Sequence, residues 1–343
     1  MAGPVSILKC NASICPVTAS WFGYRPSLAM NATFLSIFII ALVLHTVFYY
    51  RYRTTGFSIC MCIGCALEVS GYVGRILAHF NPWSLPAFFV QINGIGLAPT
   101  FFAAGIYLCL TRIVIAYGAG ISRVQPKVYT YVFILCDIGS LVIQLPGGVL
   151  SSMSASKGRE PTTGAHIGLA GVCFQVFALS IWVLLAMEFA VRCWMAGRSA
   201  WEAKYERMRD GWRFIAFLAG LGLAVTTLYA RSVYRIVELR EGYTGRFARD
   251  EIAFFVLEGL MILVLSLVTA VFHPGFGFGE MYQVITEQKA TYPSPWKRRA
   301  FFMKDLTGTN QLVELTERSE TLHSERTLKG SDNERERLAR PGL

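Results

Sequence analysis

Seven long apolar runs set the main constraint on this chain: Leu28–Tyr50, Phe57–Ala78, Ala87–Leu110, Val128–Ser151, His166–Phe189, Phe214–Val233 and Ala253–Phe272. A helix rises 1.5 Å per residue, so a run of about 20 residues crosses roughly 30 Å of hydrocarbon. Lipid offers nothing to backbone N–H and C=O groups, and a helix satisfies its own. The composition agrees. Hydrophobic residues make up 54% of the chain and charged residues 16%, where ordinary soluble domains carry about 25% charge. These values exclude a disordered chain, a collagen-like one and a small disulfide-framed secreted domain. The expected fold class is an all-α integral membrane protein, a seven-transmembrane helix bundle. Residues 27–273 would form the bundle, residues 1–26 an extracellular N-terminal segment, and residues 274–343 a charged cytoplasmic tail.

The net charge of +10 suggests nucleic acid until it is mapped. Residues 274–343 hold 11 Lys/Arg and 10 Asp/Glu, so the tail is nearly neutral. Most other bases lie in short connectors, as in a helical membrane protein, and no basic face with interleaved aromatics marks a nucleic-acid binder. With the N-terminus outside, the inner connectors and tail carry 22 of the 32 Lys/Arg, which favours that orientation. Residues 1–26 contain no compact apolar stretch with a cleavage site, so Leu28–Tyr50 is expected to act as a signal anchor. Thr316–Arg340 is rich in Glu, Arg, Ser and Thr and is expected to be disordered, with phosphorylation or ubiquitination as its regulatory use. Asn11-Ala-Ser13 is a glycosylation sequon flanked by Cys10 and Cys15, and a glycan or a disulfide there would suit an extracellular segment. Cys62-x-x-Cys65 has the spacing of half a zinc site but no second pair follows, so packing is the simpler reading and no cofactor or metal is expected.

Function is sought among the few polar groups inside the runs, because charge is expensive in hydrocarbon and needs a partner or a watery cavity. Glu68, Tyr72 and Arg75 fall on one stripe of the second span at i, i+4 and i+7. Glu68 and Arg75 are two turns apart, about 10 Å, and must each find partners across the bundle. Asp137, Ser140 and Gln144 form a second stripe, on the fourth span. Gln91 and Tyr107 lie in the third span, Gln175 in the fifth and Glu258 in the seventh. Arg231, Arg235 and Glu238 share a face at the end of the sixth. Pro99 and Pro146 each remove a helix hydrogen bond, leaving a carbonyl to be satisfied elsewhere and marking hinge candidates. Gly164-x-x-x-Gly168 and Gly220-Leu-Gly222 point to close helix contacts.

The same stripes carry a family resemblance. Glu68-x-x-Gly71-Tyr72-x-x-Arg75 resembles the second-span signature of the fungal lipid-translocating exporter family, the RTA-like seven-span proteins. Further resemblance lies in Gln91, Ala98-Pro99, Ala103-Ala104, Tyr107 and Arg112; then in Phe133, Asp137, Ser140, Gln144 and Gly147; then in Gly168, Gly171 and Gln175. The most specific piece is Arg231-Ser-Val-Tyr234-Arg235-Ile-Val-Glu238, followed by Gly242, Gly245, Glu251 and His273-Pro274-Gly275. Glu258 stands where the family pattern has aspartate. The resemblance implies a plasma-membrane protein, or one of the endoplasmic reticulum or vacuole, that moves lipids or amphipathic toxins such as sphingoid long-chain bases or sterol-like amines. It implies no catalytic residues.

Other seven-span classes fit less well. Thr111 precedes Arg112 where a G-protein-coupled receptor has an acid, and the last span lacks Asn-Pro-x-x-Tyr. No lysine in Ala253–Phe272 could hold retinal. His45, His79, His166, His273 and His323 are scattered singly, which argues against a zinc hydrolase. A receptor or stress sensor regulating lipid asymmetry is the alternative to a translocator. As a translocator, the chain would present Glu68, Asp137 or Glu258 to a polar or cationic headgroup, with Arg231 and Arg235 trading salt-bridge partners to open or close the site. No phosphate loop is present for ATP.

Overall fold

A computed structural model describes residues 15–156, 162–240 and 250–287. All regular structure among them is helical, and seven helices are long and apolar enough to span a membrane. They are α1 (Leu28–Tyr52), α2 (Thr55–Phe80), α3 (Leu85–Tyr117), α4 (Pro126–Ser156), α5 (Thr162–Ala196), α6 (Trp212–Arg240) and α7, which joins Glu251–Ala253, Phe254–Leu260 and Met261–Val271. Two short helices follow, α8 (Pro274–Phe278) and α9 (Met281–Glu287). Asn11, Cys10, Gly242, Gly245 and the tail from residue 288 lie outside the described residues. Cys15 is disulfide-bonded, and the seven cysteines from Cys60 to Cys193 are free.

Local chemistry sets the helix ends. Arg53 closes α1 in the left-handed conformation, at φ 52°, so that α2 can turn back after only Thr54. The Ser84 hydroxyl accepts from Ala87 N at the start of α3, with Pro86 in its first turn, where a missing N–H does no harm. The Asp250 carboxylate caps α7 by accepting from Ile252 N and Ala253 N.

Successive helices pack as neighbours, α7 returns to α1, and α3 also reaches α5 and α6. α3 is the most enclosed of the seven. Its buried residues, among them Ala98, Phe102, Ala103, Ile106 and Tyr107, form the centre of the core. Outward faces remain apolar: Ile40, Val43 and Val47 on α1, Leu135 and Val142 on α4, and Leu184 and Met187 on α5 are exposed. Large apolar side chains covering the surface of a bundle match lipid rather than water as solvent.

Two helix pairs approach through glycine. A Cβ on Gly94 of α3 would sit 2.7 Å from Leu67 O and Gly71 N of α2. One on Gly147 of α4 would sit 2.5 Å from Gly168 N of α5 and 2.9 Å from Gly164 O. The Gly164-x-x-x-Gly168 expectation is therefore met against Gly147. Of the second glycine pair, Gly220 packs against Phe272 while Gly222 faces open space.

Three helices outrun their hydrophobic segments the furthest: α3 reaches Tyr117, α5 Ala196 and α6 Arg240. Apolar runs stop at the first charges, whereas the backbone hydrogen-bond ladder continues through them. Arg235 and Glu238 consequently lie on α6, not in a connector. α8 packs on α6 and α1, and α9 packs on α3, where Arg112 stacks on Tyr282 at 4.2 Å and donates to Thr286 Oγ1 at 3.2 Å.

Gly94→Val is expected to lower the melting temperature of the detergent-solubilised protein, because overpacking costs about 1–3 kcal/mol. Gly222→Ala, with no neighbour to meet, should leave it unchanged or slightly raised.

Candidate functional site

The N-terminal segment and the ends of α1, α2 and α7 converge on Arg75. Its Nε donates to Asn31 Oδ1 at 2.7 Å and its Nη2 to Tyr24 OH at 3.0 Å, with Glu251 Oε1 at 3.5 Å. The guanidinium lies over the Phe254 ring, 3.9 Å from its centroid, a cation–π arrangement that lets a charge stay buried. Glu251 Oε1 also accepts from Ser27 N at 2.7 Å, fixing the entry to α1. Burial pushes the Tyr24 phenol up against the pull of Arg75, so it remains a neutral acceptor.

A second knot ties α3, α6 and α7. Pro99 has no N–H, so the carbonyl one turn earlier, Ile95 O, has no partner inside its helix. Arg231 Nη2 of α6 donates to that carbonyl at 3.0 Å. The same nitrogen meets Glu258 Oε1 at 2.5 Å, and Arg235 Nη1 meets Glu258 Oε2 at 3.3 Å and Glu238 Oε2 at 2.6 Å. Glu258 sits in a wide π-helical turn, Phe254–Leu260, which turns Phe254, Phe255, Glu258 and Gly259 inward together. Such turns recur at functional sites. Gly259 leaves room for the Tyr72 hydroxyl, which lies 2.7 Å from where a Cβ would be, and Tyr72 stacks between Phe34 and Phe38. Glu68, also buried, is within electrostatic reach of Arg231 and Glu258, yet its Oε1 has no hydrogen-bond partner.

Two cavities of about 50 Å³ each share Ile92, Gly96 and Arg235 in their walls, and each is roomy enough for a few water molecules. The first has a charged floor of Arg75, Glu238 and Glu258 and aromatic walls that include Trp21, Tyr24 and Phe254. Gln91 also lines it, with its Oε1 unpartnered. The second lies among α3, α4, α5 and α6, lined by Asn93, Gln144, Leu145 and Val172 and by Gly96, Gly148 and Gly168. A Cβ on Gly96 or Gly148 would meet nothing within 4 Å. Exposed Leu145 brings this cavity to the lipid-facing side of α4. A polar chain runs inward from it: Gln144 Nε2 donates to Gln175 Oε1 and Gln175 Nε2 to Thr100 Oγ1, both at 3.1 Å.

Residues 61–281 match the family described as RTA1 like protein. The chain belongs to this family. Among curated proteins it is 32% identical to the sphingoid long-chain base transporter RSB1 of Saccharomyces cerevisiae strain Lalvin EC1118, over 75% of this chain and 74% of that one. It is 28% identical to protoporphyrin uptake protein 1 (65% and 70% covered) and 26% identical to protein RTM1 (67% and 70% covered), both of S. cerevisiae. No solved structure matches the chain.

In this RTA1-like chain the sequence-marked residues separate into two groups. Arg75, Gln91, Arg235, Glu238 and Glu258 line the first cavity, with Arg231, Glu68 and Tyr72 packed around them; Gln144 and Gln175 serve the second. Asp137 and Tyr107 are buried beside one another, apart from both cavities. Pro99 and Pro146 lie inside helices that continue past them. Among the described residues no group of three or more His, Cys, Asp or Glu is placed to hold a metal ion. The sequence reading missed the π turn and the wall formed by Trp21, Phe22 and Tyr24. The aromatic cluster just ahead of the first span was a legible signal for that wall; the π turn had none.

Removing one partner of a buried ion pair costs about 3–5 kcal/mol. Glu258→Gln and Arg231→Gln should each strongly lower the unfolding temperature in detergent. Arg231→Met with Glu258→Met should be less destabilised than the sum of the single changes. Additive losses would show that the two residues do not act as a pair.

Proposed function

We propose that this protein translocates single amphipathic molecules between membrane leaflets, with sphingoid long-chain bases as the leading substrate class. The observation that carries this reading is the pair of cavities that share Arg235, one charged and aromatic, the other glycine-lined and bordering lipid. A protonated amine fits between Glu238, Glu258 and the free Gln91 carbonyl, while hydroxyls suit Asn93 and Gln144. The alkyl chain stays along Leu145 and Val172 and needs no enclosed pocket, because lipid already solvates it. The name of the RSB1 relative supports the same substrate class.

The headgroup competes with Arg235 for Glu238 and Glu258. As Arg235 lets go, the boundary between the cavities opens and the headgroup passes to the Gln144 side. Pro99 of α3 supplies the give, since its freed carbonyl is held by a side chain and not by the helix. Pro146 likewise removes one helix hydrogen bond in α4. We place the N-terminus and the first cavity on the outer face, in the plasma membrane, where export would confer resistance to toxic amphipaths. The ligand is a membrane lipid or amphipathic small molecule, and the chain acts as a translocator rather than an enzyme.

The purified protein in liposomes should speed the change of leaflet of a fluorescent long-chain base in the absence of any other protein. Glu238→Gln should slow it about tenfold or more, the loss of one charge-assisted contact of about 1.5–3 kcal/mol. A rate equal to that of protein-free liposomes would overturn translocation and favour a sensor that acts on lipid asymmetry indirectly.

A further inference from the structure

Asp137 differs from every other carboxylate buried in the bundle. It is 1% exposed; among the described residues the Tyr107 phenol is placed to hydrogen-bond its carboxylate, and neither oxygen has a partner of normal geometry. Glu258 is held by two arginines and Glu238 by one, and Glu68 lies near Arg231. Among the described residues no cation is within ion-pair distance of Asp137. The buried arginines are engaged elsewhere: Arg112 with Thr286 and Tyr282, Arg209 with the carbonyls of Ala116 and Glu202.

The surroundings are aromatic and also unsatisfied. The titratable group facing Asp137 from α3 is the Tyr107 phenol, whose hydroxyl has no partner of normal geometry. On its own helix the nearest titratable group is the neighbouring Cys136 thiol, which acts on the same phenol. From α5, the Trp182 indole packs on Tyr107 with centroids 4.9 Å apart, and its Nε1 is buried and unpartnered. Phe133 closes the side one turn away on α4, 6.0 Å from the Tyr107 ring. Ser140 Oγ donates to the Asp137 backbone carbonyl at 2.6 Å and not to the carboxylate.

An ionised carboxylate cannot persist in such a box without a counter-charge. A metal ion is a poor answer, because hard cations take about six or more oxygens and this cluster offers two carboxylate oxygens and a phenol. A proton needs only one oxygen. Asp137 shares a helix stripe with a residue that lines the second cavity. Ser140 is one turn away and Gln144 two, and Gln144 Nε2 reaches Ser140 Oγ at 3.4 Å while lining that cavity.

We propose that Asp137, buried beside the Tyr107 phenol, is a proton-binding site that drives translocation by exchanging protons for the amphipath. The proposal deepens the translocation reading and rests on it. A proton from water adds to one Asp137 oxygen, giving a neutral acid that the closed box accepts. On the other side of the membrane the same O–H bond breaks and the proton returns to water. The anion that remains is stable only when the α3–α4–α5 contact admits water. Protonation therefore selects between two arrangements of the helices that border the second cavity. One cationic headgroup moving against one proton is electroneutral and needs no ATP.

Two measurements on the full-length protein in liposomes decide the matter. The first is infrared difference spectroscopy across a pH titration, without substrate. A carboxylic-acid carbonyl band should appear in the wild type, vanish in Asp137→Asn and persist, shifted, in Tyr107→Phe. No band lost in Asp137→Asn overturns the proton site whatever the transport result. The second follows a fluorescent long-chain base under a gradient of one pH unit, a factor of about ten in proton activity. The wild type should approach a tenfold accumulation faster than protein-free vesicles do, with matching proton flux reported by a trapped pH dye. Asp137→Asn should lose both, and Asp137→Glu should recover part. Leaflet exchange indifferent to the gradient in the wild type, or driven equally well in Asp137→Asn, overturns the coupling and leaves translocation standing. Failure of the wild type to move the base under any gradient overturns translocation and the coupling with it, while the infrared band still decides protonation.

Discussion

The contact between Arg231, Glu258 and the Ile95 carbonyl organises the polar interior. Three sequence features that look unrelated become one device: a proline in α3, an arginine in α6 and a glutamate in a π turn of α7. The proline leaves an acceptor without a helix partner, and the arginine can fill it because a carboxylate from the opposite side holds the guanidinium in place. In hydrocarbon none of the three groups could be left alone without a cost of several kcal/mol. The arrangement fixes the relative register of three helices and leaves Arg235 to divide its attention between Glu238 and Glu258.

That division matters because Arg235 lines both cavities. A side chain with two acceptors can give one up to a competing cation at less expense than one with a single acceptor. The Arg75 cluster is different in kind. Its guanidinium is spent on Asn31, Tyr24, Glu251 and the Phe254 ring, so it anchors the N-terminal segment over the first cavity. One arginine therefore holds the wall, one holds the helices and one stands between the cavities.

Much of this was legible in the residues. The seven runs located all seven helices, because lipid permits no other backbone solution for segments of that length. Of the stripe Glu68–Tyr72–Arg75, Arg75 has the partners from other elements that the spacing implied, whereas Glu68 Oε1 and the Tyr72 hydroxyl have none; the i, i+4, i+7 pattern of Arg231, Arg235 and Glu238 placed them on one face. Hydropathy could not show where α3, α5 and α6 end, since it registers solvent and not hydrogen bonding. Nor could it distinguish Asp137 from Glu258: both are single acids in apolar runs, and only packing shows that one has two arginines and the other none. The π turn was illegible because its sequence, Phe254–Leu260, suits an ordinary helix as well.

The central claim is that an amphipath's headgroup occupies the two cavities that share Arg235, and photo-crosslinking tests it most directly. A long-chain base carrying a photoreactive group beside its amine should label peptides containing Trp21–Tyr24, Ile92–Leu97 and Gln144–Gly148, and excess unlabelled base should suppress that labelling. Labelling confined to outward residues such as Leu135 and Leu184, and unaffected by competitor, would contradict the account.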